Sequence, residues 1–191
     1  MLKFRLWGTE WACSLLFPAT VVVLLTLDTG GMAASVMHEA GHFLMLLACG
    51  GRPARVSIGI FGVRVEQDVH APIGYGKNVW VSLAGPLVNG LSCGILLLLG
   101  GGWTTPVMVH ATMAVMNLLP VEPLDGGQAL FCLLAPHMEE PKATRAVLVV
   151  SVVTILPLAA AGFYVLLHSG YNFTLLAVSV YLVLLLLLKK K

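Results

Sequence analysis

Charge is what this chain has least of: Asp, Glu, Lys and Arg make up only 10% of its 191 residues, against 58% that are hydrophobic. Mean hydropathy is +0.92. A soluble domain of this size needs a charged surface to face water, so the composition excludes one and points to a lipid bilayer. Cysteine is scarce too. Cys13, Cys49, Cys93 and Cys132 stand singly with no C-x-x-C pair, which favours small buried hydrophobes over disulfides or thiolate ligands. Internal repeats are lacking, and only one apolar segment is clearly interrupted, where a transporter would show paired broken helices.

What the chain does have is apolar length. Spans need about 17 to 25 residues, and such runs fall at 11–27, 32–49, 79–99, 105–135 with an interruption, 144–167 and 172–188. The expected fold class is an all-α polytopic membrane protein with six transmembrane helices, a short β-hairpin between the second and third, and a broken fourth helix. One membrane-embedded domain over 1–191 is expected, with its core near 32–135. Lys3 and Arg5 give the first run the look of a signal peptide. Cleavage near Ala33 to Ser35 would leave almost nothing before His38, however, so a retained helix is expected.

On these spans every basic residue falls on one side. Lys3, Arg5, Arg52, Arg55, Arg64, Lys77, Lys142, Arg145, Lys189, Lys190 and Lys191 lie there, while the loops near 28–31, 100–104 and 168–171 contain no Lys or Arg. The positive-inside rule then puts both termini in the cytoplasm of what reads as a prokaryotic cell membrane.

Within the second run, His38-Glu39-Ala40-Gly41-His42 reads HEAGH. Histidines at i and i+4 share a helix face, so both imidazoles can reach one Zn2+, with Glu39 beside the first to act as general base. Two histidines and a glutamate are costly in lipid unless used. A hydrolytic zinc site takes three protein ligands, and HEAGH supplies two. The third is expected from Asp125, in Asn117-Leu118-Leu119-Pro120-Val121-Glu122-Pro123-Leu124-Asp125-Gly126-Gly127. Two prolines and two glycines cannot continue a regular helix, and unwound backbone at membrane depth marks a site. Counting along the helices puts His42 roughly 12 Å and Asp125 roughly 15 Å from the cytoplasmic ends of their spans. The two depths agree, and the site should open toward the cytoplasm. Asp125 has an alternative role as the N-cap of the helix that resumes after it.

These residues resemble the site-2 proteases, a family of intramembrane zinc metalloproteases, most closely the stage IV sporulation FB-type branch. HEAGH is similar to the family's HExxH, NLLPVEPLDGG to its proline-rich LDG segment, and Ser82-Leu83-Ala84-Gly85-Pro86-Leu87-Val88-Asn89 to its AGPxxN segment. The resemblance implies a zinc metalloendopeptidase that cleaves in or near a transmembrane segment of a membrane-associated protein, such as a transcription-factor precursor. A regulatory membrane partner, the lipid bilayer and no nucleic acid complete its expected associations. That branch often carries a CBS domain, and others a PDZ insertion; neither is expected within 1–191. The resemblance implies zinc on His38, His42 and Asp125, with Glu39 taking a proton from water whose pKa the metal lowers from about 16 to about 7. It also puts Asn117 near the metal, where its amide would donate to a developing oxyanion, the alternative being a structural bond to unwound backbone. Asn89 is expected to line the substrate cleft, whereas Gly85 and Pro86 read equally as small packing residues.

Arg55-Val56-Ser57-Ile58-Gly59-Ile60-Phe61-Gly62-Val63-Arg64-Val65-Glu66 is β-rich and reads as a hairpin at the cytoplasmic mouth. Ile58 and Ile60 are expected to bind substrate there by strand addition, which would hold the substrate extended. Glu122 reads either as a gate near the metal or as a residue facing the aqueous entry. His70, His110, His137 and His168 read as ordinary polar residues. The competing functions are a catalytically silent binder of membrane segments and a metal-binding transporter; a silent relative would have lost Glu39 or a ligand, and none is lost.

Overall fold

The computed structural model describes residues 2–6, 9–13, 29–59, 62–67, 73–100, 102–122 and 124–189. The chain divides into two compact units, Met1–Asn117 and Leu118–Lys191.

Among the described residues, the first unit combines a small sheet with three helices. Strands β1 (Leu2–Leu6), β2 (Thr9–Cys13), β3 (Pro53–Gly59) and β4 (Gly62–Gln67) form one sheet in the order β1-β2-β3-β4. The outer pairs are antiparallel and β2 runs parallel to β3, with Cys13 opposite Ile58. Helix α1 (Thr29–Ala48) precedes β3, and α2 (Tyr75–Leu98) and α3 (Thr105–Leu118) follow β4. β4 lies against α1.

Helices α1 and α2 pack against each other along stripes that recur at helical spacing. On α1 the buried positions are Ala34, His38, Gly41 and Leu46; on α2 they include Ser82, Gly85, Asn89 and Cys93. Small residues at the crossing allow a close approach, with Gly41 against Ala84 and Val88. Lys77 Nζ donates to the carbonyl of Cys49, just past the end of α1, at 2.9 Å. A cation suits the carbonyls left unpaired at a helix C-terminus.

The second unit holds α4 (Asp125–Leu134), α5 (Glu140–Ser169) and α6 (Thr174–Lys189). α5 packs on both α4 and α6, using Ala143, Val147, Ser151 and Ile155, one turn apart, as its buried stripe.

The protein is thus mostly helical, with α2 and α5 long and apolar enough to cross a membrane. At 1.5 Å per residue, α2 reaches about 36 Å, more than the roughly 30 Å of a hydrocarbon core. Leu91 and Leu98 on α2, Phe163 and Leu167 on α5 and Leu187 on α6 are each more than half exposed. Apolar side chains turned outward in this number suit lipid rather than water.

The first expected span is only partly covered by the described residues. Thr9–Cys13 is strand, and residues 14–28, the rest of that run, lie outside the described residues. Leu2, Lys3, Phe4, Arg5 and Leu6 alternate apolar and charged, the period of a strand, and β1 pairs with β2 along its whole length. That alternation accounts for the strand, and the apolar run expected as the first span continues outside the described residues.

Candidate metal centre

The helical turn between His38 and His42 on α1 brings their rings edge to face, with centroids 4.7 Å apart and planes at 81°. Their Nε2 atoms face each other at 3.1 Å. Two nitrogens bound to one tetrahedral zinc at about 2.05 Å stand about 3.3 Å apart, so the pair is spaced as ligands of one ion.

The state of one ring follows from its partner. His42 Nδ1 lies 2.7 Å from the carbonyl oxygen of Val81 on α2. A carbonyl only accepts, so Nδ1 carries the proton and donates it, and Nε2 keeps the lone pair that a metal needs.

Gly85 explains why no side chain intrudes. A Cβ there would stand 2.3 Å from His42 Nε2 and 2.8 Å from His38 Nε2, closer than non-bonded atoms approach. The glycine of the AGP segment is therefore a condition for placing two imidazoles against α2, and more than a packing convenience. Read in sequence equally as a packing residue, it belongs to the site.

On its other edge, His38 Nδ1 meets the Asn89 side-chain amide at 3.1 Å. The other end of that amide meets His110 Nδ1 on α3, also at 3.1 Å. Asn89 is fully buried and His38 and His110 are each 5% exposed, so these contacts are shielded from water. Asn89, expected in the cleft, sits between two histidine rings. His110, read as an ordinary polar residue, is buried at the end of this chain of contacts.

In the second unit Asp125 opens α4, where the helix N-terminus suits a carboxylate. The residues before it fold back tightly: Val121 N donates to Leu119 O and Leu124 N to Val121 O, both at 2.7 Å. A Cβ on Gly126 would meet the carbonyl oxygens of Leu118 and Leu119 at 2.4 Å, and one on Gly127 the Val121 carbonyl at 2.6 Å. Only glycines let the backbone turn over the first turn of α4. Helix α5 braces this turn, the Glu122 N–H donating to Ser151 Oγ at 2.9 Å, and Ser151 in turn donating to the Val147 carbonyl.

Of the expected site residues, His38 and His42 come together in the first unit, their Nε2 atoms turned toward each other; Asp125 stands in the second unit, at the start of α4. The set of two imidazoles and a carboxylate is one that zinc accepts. Glu39 follows His38 on α1 and is half-buried. The Asn117 amide donates to the Met113 carbonyl of its own helix at 3.0 Å. Ile58 lies on β3, paired with Cys13 on one side and Val63 on the other, so its strand presents no open edge; Ile60 lies outside the described residues. The outer strands are β1 and β4.

The chain is similar to known proteins in family, in sequence and in fold. Residues 101–158 match Peptidase family M50. A protein named as a putative zinc metalloprotease of Synechocystis is 30% identical over 135 residues, 64% of this chain and 32% of its own length. Stage IV sporulation protein FB of Bacillus subtilis is 29% identical over 144 residues, 65% of this chain and 48% of that protein. The chain therefore spans less than half the length of either relative. Among solved structures, the site-2 protease from Methanocaldococcus jannaschii shares the fold, with a TM-score of 0.59 at 19% identity over 95% of this chain and 91% of that one.

Proposed function

We infer that this chain, a member of the M50 peptidases of the site-2 protease kind, is an intramembrane zinc metalloendopeptidase. Its reaction is hydrolysis of a peptide bond in or near a transmembrane segment of a membrane-associated substrate. A tethered transcription-factor precursor is the substrate class suggested by likeness to the sporulation protein. The observation that carries the reading is the pair of imidazole nitrogens 3.1 Å apart over a glycine.

Zinc bound there supplies a Lewis acid that makes hydroxide available near neutral pH. His38, His42 and Asp125 would hold it. Glu39, one residue from His38, takes the proton from water and passes it to the leaving amine. Asn117 is assigned to the oxyanion, for which its amide must leave the Met113 carbonyl it now meets.

An extended substrate is best received by a strand with unpaired main-chain groups. That role goes to β4, an outer strand of the sheet that lies against α1. Six spans with both termini cytoplasmic and the site opening to the cytoplasm complete the proposal; the first of those spans falls largely outside the described residues.

Zinc content and cleavage of a membrane-tethered reporter, measured on the purified chain alongside Glu39→Gln, test this reading. Zinc near one per chain in both, with cleavage lost only in the variant, is the expected result. Equal cleavage by both removes the assignment of Glu39. Zinc without any cleavage leaves a silent binder or a transporter.

A further inference from the structure

We propose that Asn89 and His110 are a positioning pair that sets where His38 carries its proton, so that a half-turn of one buried amide decides whether His38 Nε2 is offered to a metal. The inference rests on the metal site described above and extends it to two residues outside the ligand set.

A neutral imidazole holds one proton on one of its two nitrogens. His42 has no choice, because its Nδ1 faces the Val81 carbonyl at 2.7 Å. His38 does have one, because its Nδ1 faces a side-chain amide, which offers an oxygen or a nitrogen according to a half-turn about its last torsion. Two patterns are self-consistent along the same contacts. With the amide nitrogen toward His38, His38 Nδ1 accepts and its proton lies on Nε2, aimed at His42 Nε2 3.1 Å away. His110 then donates from Nδ1 to the Asn89 oxygen.

With the amide oxygen toward His38, Nδ1–H donates and both Nε2 lone pairs face the same point. His110 now accepts from the Asn89 NH2 and carries its own proton on Nε2. Ligation selects the second pattern. Full burial of Asn89 matters to this choice, since water cannot stand in for either partner of the amide. His110 holds the far end of the amide, in either sense, so that the near end stays on His38.

Partners that accept the free N–H of a ligating histidine are typically worth a 10- to 100-fold change in metal affinity. Zinc affinity of the full-length chain in detergent, measured by competition with a chromophoric chelator, reads the effect without any assay of cleavage. Asn89→Leu should bind zinc about 10- to 100-fold more weakly. Asn89→Asp should bind at least as tightly as native, because its carboxylate accepts from His38 Nδ1–H. His110→Leu should weaken zinc in the native background and add little once Asn89 is Leu, the mark of residues acting through one another.

Native affinity in Asn89→Leu overturns the proposal. So does weakening in Asn89→Asp, which stands as the decisive variant if the leucine chain does not fold, and so does full additivity of the two leucine substitutions. A native chain that takes up no zinc removes the metal site itself, a result distinguishable from these.

Discussion

Gly85 is the residue at which sequence and site meet most tightly. The atoms a β-carbon would strike include the Nε2 nitrogens of both proposed ligands, so Gly85→Ala should lower bound zinc per chain several-fold while leaving the helical circular dichroism intact. Retention of full zinc by that variant would mean that the rings have room to retreat. HEAGH is legible in sequence because an i, i+4 pair meets on a helix face whatever surrounds it. The partners of the rings are not. Which carbonyl or amide lies opposite a ring is decided by the crossing of α1 over α2, and no spacing within either helix encodes that. Sequence alone therefore gives Asn89 to the substrate and His110 to nothing in particular, although both face inward at the site.

Among the elements, the break between α3 and α4 is legible in full: prolines at 120 and 123 and glycines at 126 and 127 stop one helix and permit the fold-back that starts the next. Ser151, which braces this break from α5, gives no signal, being one serine among many apolar neighbours. Ser151→Ala should remove the bond from the Glu122 N–H to Ser151 Oγ and cost about 1 kcal/mol, seen as a lower melting temperature in detergent. An unchanged melting curve would show that the turn stands without its brace. Strands β1 and β2 escape a sequence reading because five-residue alternations are short and charged residues ahead of an apolar run invite a topological interpretation. The position of β3 inside the sheet moves the expected substrate edge to β4. Proline at Val65, within β4, should accordingly reduce cleavage of a tethered reporter without lowering zinc content, and undiminished cleavage would exclude pairing on that strand.

For the molecule as a whole, low charge and outward-facing leucines lead to the same solvent. The apolar faces of α2, α5 and α6 and the bias of basic residues together predict that reporters fused at either terminus read as cytoplasmic and one inserted at 102–104 as external. A cytoplasmic signal from the inserted reporter would break the six-span topology. Stripping metal with a chelator should abolish cleavage, and stoichiometric zinc should restore it; recovery without added metal would refute metal dependence.

The carbonyl that aligns His42 comes from the main chain of Val81, and a main-chain group is the same in every amino acid. Saturation mutagenesis should thus find position 81 tolerant of most apolar replacements although it stands at the centre of activity, and position 85, four residues on, intolerant of all.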